Sequence, residues 1–126
     1  DGDTVVLDID GRRERVRLIG IDTPETKKPD TPVQCYGPEA SARTEQLLPE
    51  GTPVLLQRDL EARDDFDRLL GYVFLTDGTF VNLDLVENGF ARPLRIEPNT
   101  AYAQQFADAA RAAEAAGLGL WGACPG

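Results

Sequence analysis

At 126 residues the chain has the length of one domain, and 13 Lys and Arg against 22 Asp and Glu leave a formal charge of −9, a sign that excludes capture of nucleic acid by bulk positive charge. Histidine is absent, which excludes an imidazole base, nucleophile or zinc ligand. Hydrophobic residues make up 41%, enough for one core, and no apolar run approaches the roughly 18 residues of a membrane span.

Thr4 to Ile9 is β-branched and alternating, which predicts a strand. Asp10-Gly11 is a two-residue hairpin turn, and Arg12 to Ile21 is the return strand, with Val16 and Leu18 alternating against Arg15 and Arg17. The simplest register across that turn sets Asp3 opposite Leu18 and puts Arg17 on the other face. Bringing Asp3 to Arg17 then requires a bulge or the strong twist of a small barrel. Thr23-Pro24 ends the strand, because Pro removes a ladder donor. Residues 26–37 hold two Pro and a Gly and form a loop. Pro38 suits the first position of a helix running to Leu48.

Val54 to Arg58 is the next expected strand, and the charged stretch 59–68 is an exposed turn region. Leu69 to Leu75 is a strand, Asp77-Gly78 a second hairpin turn and Thr79 to Val81 a short strand. Asn82 to Asn88 is a short helix stopped by Gly89, and Phe90 to Arg95 a last strand. Thr100 to Ala116 is an Ala-rich helix with Tyr102, Phe106, Ala109, Ala110 and Ala113 on one face. Gly117 ends it, and Trp121 packs back on the core. Short strands with helices inserted and appended describe an α+β fold over residues 1–126, mainly a small closed barrel with helices.

Carboxylates and arginines gather in three segments: Asp1-Gly2-Asp3, Arg17 to Thr26, and Asp64 to Tyr72. Hard cations such as Ca²⁺ prefer carboxylate and carbonyl oxygens. Asp3 at one strand start and Asp22 at its partner's end supply two such ligands. Arginine offers a planar fork that matches phosphate oxygens, and Glu25 is placed to orient or deprotonate a water. Cys35 and Cys124 read either as two buried thiols or as one disulfide of an exported chain.

DGDTV, then R-L-x-G-x-D-T-P-E-T, then YGPEAS, then an Arg-Leu-Leu-x-Tyr strand, then VN-x-x-LV-x-x-G occur in that order. In these blocks the chain resembles the staphylococcal nuclease family from Asp1 to about Trp121. The resemblance implies an OB-fold barrel of five strands with three helices. It implies a Ca²⁺-dependent nuclease acting on DNA and RNA and leaving a 3′-phosphate and a 5′-hydroxyl. It assigns Asp3, Asp22 and the main-chain carbonyl of Thr23 to calcium, Arg17 and Arg68 to the scissile phosphate, and Glu25 to the attacking water. The expectation is that these acids and guanidinium groups meet around one cation.

Lys27 and Lys28 lie in the loop that borders the active site in relatives and supply local attraction for the polyanion. Departures from the pattern are Asp67 for a Gly, Phe66 for a Tyr, and no Tyr between Arg92 and Pro98. A disulfide between Cys35 and Cys124 fits exported members, and with it a secreted monomer. The family carries strand residues ahead of the DGD block, so the domain reads as trimmed at its N-terminus. The alternative reading is a catalytically inactive nuclease-like OB module that binds nucleic acid or protein.

Overall fold

The structure is a computed structural model that describes residues 1–125. Strands β1 (Thr4–Ile9) and β2 (Arg12–Leu18) form the expected hairpin, with Thr4 opposite Arg17 and Ile9 opposite Arg12. The Leu18 amide donates to the Asp3 carbonyl at 2.8 Å, so the register set by the two-residue turn persists to the strand mouth. β2 pairs in parallel with β5 (Leu69–Leu75), and β5 pairs antiparallel with β4 (Val54–Gln57), giving the sheet order β1-β2-β5-β4.

The return strand is shorter than expected. It stops at Leu18 and resumes as β3 (Ile21–Asp22), which pairs with β6 (Arg92–Pro93). The break lies at Gly20, whose φ of 84° is left-handed and whose missing Cβ would stand 2.4 Å from the Phe106 ring. A side chain there would collide with the core, so only Gly allows this corner. The corner is pinned from beneath by buried Asn82. Its amide nitrogen donates to the carbonyls of Ile19 at 2.9 Å and Gly71 at 3.3 Å, and its oxygen accepts from the Val73 amide at 3.0 Å.

Helices α1 (Gly37–Leu47), α2 (Val81–Glu87), α3 (Ala103–Ala115) and α4 (Leu120–Ala123) complete the chain. α3 buries Phe106, Ala110 and Ala113, the face expected from its spacing. Leu18, Ile21, Tyr72, Val73, Val81, Leu85, Val86 and Phe106 form the core between sheet and helices. Burying one such side chain stabilises the fold by roughly 1.5–3 kcal/mol.

The α+β class holds, but four details are corrected. The described residues contain six strands and four helices, not five and three. β1 and β4 are the unpaired edges of the four-stranded sheet, so the barrel is open between them rather than closed. Thr79 to Val81 is no strand: Phe80 makes one bridge to Phe74, and Val81 already begins α2, where its buried side chain joins the core. The last strand shrinks to Arg92–Pro93, with the Leu94 amide donating to the Gly20 carbonyl at 2.8 Å in the same register as the last contact of the pair.

Candidate active site

The Gly20 corner turns the chain back beneath Arg17. Its guanidinium donates to the carbonyls of Leu18 at 2.7 Å and Ile21 at 2.8 Å, and lies 3.5 Å from Asp3 and 3.6 Å from Asp22. Arg17 and Asp3 therefore meet without a bulge in the hairpin: a long side chain curls past the strand end, and the corner brings Asp22 to it. Asp3 is 5% exposed and accepts the Thr23 amide at 3.1 Å. Thr23 is buried, and its hydroxyl has no hydrogen-bond partner among the described residues.

Two carboxylates share the Arg17 guanidinium at this corner. Desolvation, then repulsion from Asp3, pushes the Asp22 carboxyl above its ordinary value, against the pull of Arg17 and Arg92. With the Asp22 side chain 55% exposed, the Asp3 charge is the more direct cause. The oxygen-only donor set fits a hard cation. Among the described residues no three His, Cys, Asp or Glu side chains cluster at metal-holding range. A cation held by Asp3 and Asp22 would therefore draw further ligands from main-chain carbonyls and water.

Arg68 reaches the same region from the turn before β5. Asp64 holds it: one carboxylate oxygen accepts the amides of Phe66 at 3.0 Å and Arg68 at 2.9 Å, and the other accepts the Arg68 Nε at 2.8 Å. Burial alone would raise the Asp64 carboxyl, but these donors outweigh it and hold it below the ordinary carboxylate range. Arg68 also donates to the Thr4 hydroxyl at 3.3 Å, and that hydroxyl donates to Asp3 at 3.4 Å, a weak bridge between the arginine and the carboxylate cluster. Asp67 takes a left-handed φ of 62° in this turn and faces Arg63 at 3.6 Å, not Arg68. Exposed Phe66 lies under the Arg68 guanidinium, 5.5 Å from ring centre.

Arg17 and Arg68 share the wall of one pocket of about 340 Å³. Phe66, Leu94 and Ile96 give it apolar surface, and Glu61, Asp65 and Glu97 give it carboxylates.

Glu25 stands apart. Among the described residues no hydrogen bond or ion pair joins its carboxylate to the cluster, whose contacts are those of Asp3, Arg17 and Asp22. Its backbone is held instead, the amide donating to the Gln34 side chain at 2.8 Å and the carbonyl accepting the Gln34 amide at 2.9 Å. Lys27 and Lys28 are exposed on the same loop. The loop's near end is fixed by Asp1, whose carboxylate accepts the Thr26 amide at 2.9 Å, the Thr26 hydroxyl, and the Lys27 amide at 3.2 Å. Its far end is tied by a Cys35–Cys124 disulfide with a Cα separation of 5.9 Å.

Sequence reasoning missed the side chains that hold others. Asp64 carried a signal, since an Asp accepting the amide two residues on is a common turn former. Asp1 and Gln34 carried none, because their partners lie 25 and 9 residues away.

The profile of the family described as "Staphylococcal nuclease homologue" matches residues 15–123. The chain is 46% identical over 121 residues to a thermonuclease of Staphylococcus intermedius, covering 96% of this chain and 71% of that protein. It is 40% identical over 121 residues to a thermonuclease of Staphylococcus hyicus, covering 96% and 70%. It is 40% identical over 122 residues to Endonuclease YncB of Bacillus subtilis, covering 96% of this chain but 57% of that longer protein. With the profile spanning most of its length, this chain belongs to the staphylococcal nuclease family.

Proposed function

We propose that this domain is a Ca²⁺-dependent nuclease, acting as a secreted monomer, that hydrolyses phosphodiester bonds of DNA and RNA to 3′-phosphate and 5′-hydroxyl ends. The observation that carries the reading is the double position of Arg17. It lies 3.5 and 3.6 Å from two carboxylates and also lines the pocket shared with Arg68. Relatives named thermonuclease and endonuclease support the same reaction class. The disulfide suits an oxidising compartment.

In this reading Asp3, Asp22 and the Thr23 carbonyl hold the cation. Bound there, Ca²⁺ supplies positive charge against phosphate oxygens that become more negative as water adds. Arg17 and Arg68 receive those oxygens, and their hydrogen bonds strengthen as the charge develops. Asp64 and Thr4 occupy Nε and one terminal nitrogen of Arg68, which leaves the other for phosphate. Glu25 takes the proton of the attacking water, the natural base in a chain without histidine. The phosphorus–O5′ bond breaks, and the departing oxygen takes a proton from solvent. Lys27 and Lys28 attract the polyanion locally.

The test is cleavage of single-stranded DNA by the purified domain with Ca²⁺ and with a chelator. Cleavage that needs Ca²⁺ and stops with chelator is the expected result. Undiminished cleavage in chelator would remove the metal from the account. Binding without any cleavage would mark a binding module instead.

A further inference from the structure

We propose that Gln34 is a positioning residue for Glu25, and that the Cys35–Cys124 disulfide anchors Gln34 for that role. The proposal rests on the assignment of Glu25 as base under the proposed function.

Glu25 has no side-chain link to the carboxylate cluster, so its position depends on its backbone. Both polar backbone atoms of Glu25 are engaged by one residue: the Gln34 side-chain oxygen accepts its amide at 2.8 Å, and the Gln34 amide donates to its carbonyl at 2.9 Å. This two-bond bracket spans a nine-residue separation. It closes the loop carrying Lys27 and Lys28 like a clasp. Gly37 seals the same place, since a Cβ there would stand 2.9 Å from the Glu25 carbonyl and 2.8 Å from the Thr26 side chain.

Gln34 is exposed, and an exposed side chain holds another residue only if its own backbone is fixed. The next residue, Cys35, provides that through its bond to Cys124, the C-terminal cap of α4. α4 is seated on the core by buried Leu120, whose amide donates to the Gly89 carbonyl at 2.8 Å. On the other side Tyr36 packs on Phe90 with ring centres 5.5 Å apart. The line of support runs from the core through α4, the disulfide and Gln34 to Glu25. A base must stand within hydrogen-bond reach of the proton it takes, so loosening this line lowers turnover and leaves phosphate binding by the arginines in place.

The experiment measures kcat and KM for Ca²⁺-dependent cleavage of single-stranded DNA by the oxidised chain and its variants. Gln34→Ala is expected to lower kcat on the order of 10- to 100-fold with KM nearly unchanged. Gln34→Glu keeps an acceptor for the Glu25 amide and is expected to restore most of the rate. In a Glu25→Gln background, Gln34→Ala is expected to add no further loss, because the two act as one unit. A wild-type kcat for Gln34→Ala, or the same fold-loss in both backgrounds, overturns the positioning role.

The double variant Cys35→Ser/Cys124→Ser, with its fold checked by circular dichroism, tests the anchor. Folded protein with full kcat overturns that half of the proposal, and a kcat loss matching Gln34→Ala supports it. If the double variant does not fold, the same comparison is made by mild reduction of the folded wild type. Wild-type protein with no Ca²⁺-dependent cleavage refutes the nuclease reading itself, which is a different outcome from an indifferent Gln34.

Discussion

The turn from Asp64 to Arg68 and the loop from Thr23 to Tyr36 each carry a residue assigned to the reaction, but they are held in opposite ways. The turn is local. One carboxylate, Asp64, fixes three donors within four residues, and Arg68 reaches its place from a segment that needs little else. The loop is held from afar, by Asp1 at one end and by Gln34 with a disulfide to Cys124 at the other. A charged group that binds phosphate can be set by a tight turn. A group that must stand at one point without direct contacts of its own needs several distant anchors.

Substitutions separate the two designs. The largest expected effect is at Arg68. Arg68→Ala should lower kcat/KM by roughly a thousandfold, the cost of losing a donor aimed at developing charge, with thermal stability little changed. Near-normal turnover would contradict its role. Second, opening the disulfide should destabilise the folded chain by up to about 4 kcal/mol, because it closes a long loop in the unfolded state. Thermal melts with and without reductant measure this, and an unchanged melting temperature would show that the distant anchor adds nothing to stability.

Third, Asp64→Ala should cost about 1 kcal/mol of stability by removing hydrogen bonds to part-buried and exposed donors of this turn, measured by urea unfolding. Its pH dependence has a definite sign. Asp64 is held below its ordinary carboxylate value, so its contribution is full above the unfolded value of about 4 and is lost as pH falls through the lower folded value. The difference between wild type and Asp64→Ala should therefore stay constant from neutral pH to about pH 5 and close in stronger acid. A difference that grew on acidification would contradict the hydrogen bonds described. The smallest effect belongs to Lys27→Ala/Lys28→Ala. Two exposed charges at a site bordered by carboxylates should raise KM a few-fold, more at low salt, and leave kcat alone.

The same contrast decides how much the sequence disclosed. The Asp10-Gly11 turn sets the hairpin register by itself, so Asp3 opposite Leu18 is legible in the sequence. The meeting of Asp3 with Arg17 is not, since alternation places them on different faces. It depends on the long Arg17 side chain curling past the strand end, while Asp22 is brought in by the corner at Gly20, where the Phe106 ring, 86 residues downstream, leaves no room for a Cβ. Likewise Thr79 to Val81 satisfies a helix start and one bridge to Phe74 rather than a ladder, and within Phe90 to Arg95 only Arg92–Pro93 pairs as a strand. The catalytic and metal-binding assignments came from ordered motif blocks. Of the residues that hold those groups, Asp64 carries a local turn signal, while Asp1 and Gln34 lie outside what spacing alone reveals.

The central claim is that Asp3 and Asp22 hold a divalent cation beside the arginine that binds phosphate. The most direct measurement is the rate of single-stranded DNA cleavage against Ca²⁺ concentration for wild type and Asp22→Ala. Asp22 is exposed, so its removal leaves the fold in place. The account predicts saturation by Ca²⁺ in wild type and a curve displaced at least about tenfold upward in the variant, a loss of one charged ligand. Superimposable curves would contradict it.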